Sequence, residues 1–287
     1  MDCADKNVHL SDAVLLSQEP VAGSGYAMLQ LQAPELAGSA RPGQFVQLRL
    51  DPLLPLRRAL SIMDADPATG RLMLLVQQHG QTGERLARVR PGERVNLLGP
   101  LGHGYRYHRR RPVALLVGEG FHAVALLFLA RFLRRQGIEP HLWLAATPPL
   151  VQSDGSPDQV EHWLLGLGMA AHLVLPCRTA VPEHQDIGMH LGEQVATFLH
   201  REAEHRSLCE LFVAGSKGLL RACAELAIDL RLPAQASAFA PMACALGGCW
   251  GCAVPMKGPR HQRMARACVE GPILPLRRLV ALPGGYS

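Results

Sequence analysis

Four cysteines near the C-terminal end constrain this chain more than any other feature. Of its eight cysteines, Cys244, Cys249, Cys252 and Cys268 fall within the last 44 residues. The first three follow a C-x4-C-x2-C spacing, and the fourth follows after fifteen intervening residues. The surrounding stretch 242–255 is dense in Cys, Gly and Ala. It is too irregular for a helix and too small to build a hydrophobic core of its own. Something other than burial must hold it, and a bound metal centre can do so. Asp2 and Asp5 stand where a secretory leader would carry bases, and no apolar segment follows, so a cytoplasmic protein is expected. Disulfides are disfavoured there, and clustered thiols point to metal or redox chemistry.

The spacing narrows the kind of centre. Zinc ribbons generally pair two C-x2-C knuckles, whereas here three thiols come from one loop and the fourth from a distance. That is the plant-type arrangement for a 2Fe–2S cluster. Gly247, Gly248 and Gly251 lie between the ligands. Without side chains they let the loop curl and turn backbone N–H groups toward the sulfurs. A zinc site, or four buried structural thiols, stays open as the alternative. Cys3, Cys177, Cys209 and Cys223 share no such spacing and read as ordinary core or surface residues.

The rest of the chain divides in two. Segments 26–32 and 45–50 alternate apolar and polar residues, and 72–77 and 94–98 continue the pattern between Pro and Gly turns. Short strands so spaced predict a small antiparallel barrel, with a helical turn near 83–89. From residue 112 the rhythm changes. The run 113–117 is wholly apolar, as in a parallel strand buried on both faces. Helix-like segments 123–136, 191–201 and 219–230 alternate with strand-like segments 142–145, 173–175 and 211–214, which predicts a doubly wound sheet; 147–157 reads as a loop. The expected class is therefore α+β multidomain. A β-barrel spans 1–108, an α/β domain spans 109–235, and a small cluster domain spans 236–287.

Composition excludes two function classes. The net charge of +5 gathers in Arg109–Arg110–Arg111, around Arg131, Arg134 and Arg135, and at Arg277–Arg278. Aromatic residues make up only 5% of the chain, too few to interleave with those bases as a nucleic-acid surface requires. The basic groups read instead as solvated faces. No apolar run approaches the roughly 18 residues a membrane helix needs.

A one-electron cluster beside an α/β domain needs a converter if its electrons come from a hydride donor, and flavin is such a converter. Arg58–Ala59–Leu60–Ser61, between two predicted barrel strands, offers an arginine for a pyrophosphate and a serine for a flavin ring. With these pieces the chain resembles, over nearly its whole length, the electron-transfer subunit of dihydroorotate dehydrogenase B in the ferredoxin reductase superfamily. The resemblance rests on Pro42–Gly43–Gln44–Phe45–Val46, Arg58–Ala59–Leu60–Ser61, Gly80–Gln81–Thr82–Gly83, the turn 97–104, the cysteine loop, and Cys268–Val269–Glu270–Gly271–Pro272. It implies FAD held by Arg58, Ala59, Leu60, Ser61, Leu75, Val76, Gln77, Thr82 and Gly83, and a 2Fe–2S cluster on the four cysteines. It also implies a hetero-oligomer with a catalytic, FMN-containing dihydroorotate dehydrogenase.

The resemblance leaves NAD(H) open. Gly118 and Gly120 are the candidate contacts, in Val117–Gly118–Glu119–Gly120–Phe121–His122, where the family carries three successive glycines. Glu119 brings a charge that repels a pyrophosphate unless its side chain points away. Three readings follow: an NAD-linked subunit serving pyrimidine biosynthesis, a flavin and cluster module without nicotinamide chemistry, or a reductase for a hydrogenase, sulfide or transhydrogenase-type complex. A zinc-knuckle scaffold is the non-redox alternative.

Overall fold

The computed structural model describes residues 8–21, 25–50, 56–78, 80–86, 88–145, 171–174, 187–201, 207–238, 240–258 and 261–279. The expected loop 147–157, Cys3 and Cys177 lie outside this set. Six strands close an antiparallel barrel: β1 (His9–Val21), β2 (Tyr26–Gln32), β3 (Phe45–Arg49), β4 (Arg58–Asp66), β5 (Arg71–Gln77) and β6 (Arg94–Leu101), in the order β1-β2-β5-β4-β3-β6. Two short helices, α1 (Pro34–Ser39) and α2 (Gly80–Leu86), complete this part. Helix α2 begins three residues before the predicted turn. Alternate side chains such as Leu29, Leu31, Val46 and Leu48 fill the barrel.

The α/β part holds β7 (Val113–Glu119), β8 (Glu139–Ala145), β9 (Ala171–Val174), β10 (Cys209–Ala214) and β11 (Ala234–Ser237), all parallel. Helices α3 (Val124–Arg135), α4 (Ile187–Arg201) and α5 (Lys217–Asp229) cover it. The two faces divide the apolar strand residues by parity. Ala114, Leu116, Leu142 and Leu144 pack in the core that contains α3. Leu115, Val117, Trp143 and Val213 pack with residues of α4 and α5. Burial on both faces is why these strands read as continuous apolar runs. Chain order reverses between β7 and β10, which makes the gap at their C-terminal ends the sheet's switch point.

The C-terminal segment is less separate than a 236 boundary suggests. A hairpin of β12 (Ala253–Lys257) and β13 (Gln262–Arg266) follows the cysteine loop. Strand β14 (Ile273–Pro275) then returns to pair antiparallel with β11, and α6 (Leu276–Leu279) ends the described chain. The cluster region also borrows Phe45 and Leu101 from the barrel for its core. Gly43, at φ +89°, lets β14 approach, since a Cβ there would stand 2.6 Å from Ile273 Cγ1. The outer face of the barrel packs on α3 through Met28, Met63 and Leu75. At the same seam Arg131 pairs with the buried Asp64. Arg131 is therefore not the solvated charge the sequence suggested. Arg111 and Arg277 likewise spend their guanidiniums on backbone carbonyls, of Ser207 and Cys209 and of Ala227 and Leu232. Among the described residues, no helix is long and apolar enough to cross a membrane.

Candidate redox site

The cysteine loop is a wound turn rather than a regular element. Ala245, Gly247 and Trp250 all take left-handed backbone conformations, at φ 51°, 85° and 59°. For the two residues other than glycine this strain costs of order 1–2 kcal/mol each, and such outliers gather at functional sites. Gly247 has no alternative, because a Cβ would meet Val269 Cγ2 at 2.7 Å. Arg266 staples the loop by donating to the Gly247 carbonyl at 2.9 Å and lying over the Trp250 ring at 4.9 Å.

The four sulfurs stand in two pairs. Cys252 Sγ and Cys268 Sγ are 3.1 Å apart, and Cys244 accepts hydrogen bonds from Cys249. The backbone N–H of Cys249 donates to Cys244 Sγ, and that of Gly251 to Cys249 Sγ, each at 3.4 Å. Backbone N–H donors at Leu246, then Cys249, pull the Cys244 thiol down to about 6. Burial, with Cys252 beside it, pushes the Cys268 thiol up to about 12. Among the described residues no three His, Cys, Asp or Glu side chains gather as for a single metal ion. A loop that turns N–H groups onto sulfur and pairs its thiols two by two nevertheless supplies the donor set that a 2Fe–2S cluster would take. Cys209 and Cys223 are buried elsewhere, in the core beneath α4 and α5.

A cleft of about 480 Å³ opens where the barrel meets the α/β part. Arg58, Ala59, Leu60, Ser61 and Gln77 line it, as the sequence predicts. They belong to strand ends, however, and not to a connection. Arg58–Ser61 opens β4, which corrects the expected position between strands. Arg57 and Arg58 both line the cleft; Arg57 also donates to Asn96 Oδ1 in the barrel wall at 2.5 Å, which leaves Arg58 as the better placed of the two to meet a ligand. A cation, a hydroxyl and apolar walls around one cleft fit a flavin dinucleotide.

Other candidates fall differently. Leu60 lines the cleft but packs most of its side chain into the barrel core. Leu75 faces α3 and Val76 faces the barrel interior, and neither is among the residues that line the cleft. Gly83 is explained by packing, since a Cβ would crowd the Gln78 carbonyl at 2.9 Å. The side chain of Thr82 lies outside the described set. Gly118 is also explained by packing: a Cβ would stand 2.7 Å from Ala123 and 3.1 Å from Leu126 of α3. Gly120 takes φ +49° and starts a 3-10 turn, Gly120–Ala123.

Sequence reasoning missed Tyr26, whose ring stacks on Phe121 with centroids 5.3 Å apart at the cleft. Burial raises its hydroxyl pKa, while the charge of Arg58 opposes the shift. The signal was present in strand register, because Tyr26 pairs directly with Gln77. Also unanticipated was the far wall, Ser237, Ala238, Ala240, Pro241 and Met242, which runs straight into Cys244. Gln47 ties the two sites together by donating to the Cys244 carbonyl at 2.9 Å.

Residues 240–280 match the family described as the iron–sulfur cluster binding domain of dihydroorotate dehydrogenase B. Over 274 residues the chain is 29% identical to the electron transfer subunit of dihydroorotate dehydrogenase B (NAD(+)) from Desulforamulus reducens, covering 94% of this chain and 97% of the relative. It is 27% identical to the subunit of the same name from Geobacillus thermodenitrificans, over 90% of this chain and 94% of that one. Among solved structures, an NADH-dependent reduced ferredoxin–NADP oxidoreductase superposes with a TM-score of 0.70 at 19% identity, covering 94% of this chain and 90% of the other. The ferredoxin reductase of carbazole 1,9a-dioxygenase gives 0.58 at 16% identity, over 79% and 67%. The fold is that of the ferredoxin reductases, and over most of its length the chain is similar to electron transfer subunits of dihydroorotate dehydrogenase B.

Proposed function

We propose that this cytoplasmic protein is the electron-transfer subunit of a dihydroorotate dehydrogenase, holding FAD in the barrel cleft and a 2Fe–2S cluster on Cys244, Cys249, Cys252 and Cys268. One observation carries the reading: the wall of the flavin-sized cleft continues, two residues past Met242, into the first cluster cysteine. FAD supplies the exchange between a hydride and single electrons, and the cluster supplies a one-electron carrier. The protein's own part is positional. Arg58 neutralises a pyrophosphate, Ser61 hydrogen-bonds near the ring, and Gln47 fixes the Cys244 backbone relative to the barrel. Cys249 is exposed, with Leu246 and Trp250 beside it 62% and 53% exposed. That apolar rim around an accessible ligand suits contact with a protein partner.

Measuring iron, acid-labile sulfide, zinc and flavin in anaerobically purified protein tests this. About two irons, two sulfides and one FAD per chain are expected. Zinc in place of iron and sulfide overturns the reading. The contact between Glu119 and the N-terminus of α5 favours a second reading, in which the same module serves two protein partners without nicotinamide chemistry.

A further inference from the structure

The crevice between the C-terminal ends of β7 and β10 is where an open α/β sheet of this order takes its ligand. Here a side chain already sits in it. Glu119 ends β7 in extended conformation, and its carboxylate reaches across to β10, where Oε2 accepts the Ser216 N–H at 3.0 Å. Ser216 is the N-cap of α5, and its own hydroxyl accepts the Leu219 N–H at 3.4 Å. Two of the donors that a helix start turns toward an anion therefore have acceptors from within the chain.

Space tells the same story. A Cβ on Gly215 would stand 3.0 Å from Glu119 Cβ and 3.2 Å from Oε2. The nearest neighbour of that Cβ would be Leu219 Cδ2 at 2.6 Å, so Gly215 makes room for the first turn of α5 as well as for the Glu119 side chain. The turn that follows Glu119 carries Phe121 onto Tyr26 and places His122 in the wall of the flavin cleft. Glu119 also lies near enough to oppose, by its charge, the lowering of His122 that burial causes. Crevice and cleft are thereby joined through one short segment.

We infer that Glu119 is an internal anion that bars the nucleotide crevice, so that a dinucleotide must displace its carboxylate from the Ser216 N–H before it can lie across β7 and β10. Glu119 is then a specificity-determining residue that keeps nicotinamide dinucleotide affinity low. The ligand class follows from the position: a phosphate-bearing dinucleotide meets both a repelling charge and an occupied donor. The inference rests on the proposed reading of the chain as a flavin-bearing electron-transfer subunit.

The test is equilibrium binding of NADH to photoreduced holoprotein without oxygen, where no net electron transfer competes, followed by protein fluorescence. Wild type, Glu119→Gln and Glu119→Ala are compared. Gln keeps shape and an acceptor for Ser216 but no charge; Ala vacates the crevice. The expected result is tightening in both variants, at least tenfold for Ala and less for Gln. A folded variant with full flavin and iron that binds NADH no tighter than wild type overturns the inference. Iron, sulfide and flavin content judge the electron-transfer reading separately, since NADH affinity is read on the crevice whatever the cofactor content.

Discussion

Two adjacent arginines show how residue-scale context separates structure from function. Arg57 is half-buried, its pKa lowered by that burial and by Arg49, and it is spent on Asn96. Arg58 begins β4 and lines the cleft beside it. Loss of a charge-assisted contact to a phosphate costs about 1.5–3 kcal/mol, so Arg58→Ala should weaken FAD retention by roughly ten- to a hundredfold. Fluorescence of flavin released on dilution measures it, and unchanged affinity would move the pyrophosphate elsewhere. Arg57→Ala should act on barrel stability instead.

At the scale of elements, the cysteine loop is held by geometry that the bound centre completes. Cys249 is exposed and its backbone N–H serves Cys244, so Cys249→Ser keeps the loop's internal hydrogen bond while removing one sulfur. The expected outcome is loss or marked alteration of the visible absorption and of the reduced EPR signal, with the barrel flavin retained. Wild-type spectra in that variant would remove Cys249 from the ligand set. The loop and its ligands were legible because their spacing is local. Strand β4 was not. One side of it fills the barrel and the other lies under α3, so Ile62, Met63, Asp64 and Ala65 are buried in succession and alternation vanishes. Strand β1 was missed for another reason: its register against β2 shifts between Leu15 and Ser17, which breaks the period that pattern reading depends on. Strand β14 has only three residues and forms because β11 offers an edge.

For the whole molecule, sequence showed three functional pieces but not how they share walls. The ion pair of Arg131 with Asp64 and the packing of Leu75 on α3 join barrel to sheet through residues far apart in the chain. The Tyr26–Phe121 stack does the same at the cleft. The acid at 119 was visible in the sequence, yet its reach to Ser216 depends on β7 lying beside β10. The central claim, that the chain passes electrons but leaves substrate chemistry to a partner, is tested most directly by mixing. Oxidised holoprotein receives dihydroorotate anaerobically, with and without the catalytic dihydroorotate dehydrogenase, while the visible absorbance of flavin and cluster is followed. The account predicts bleaching only when the partner is present. Bleaching by dihydroorotate alone, or none with an active partner, would contradict it.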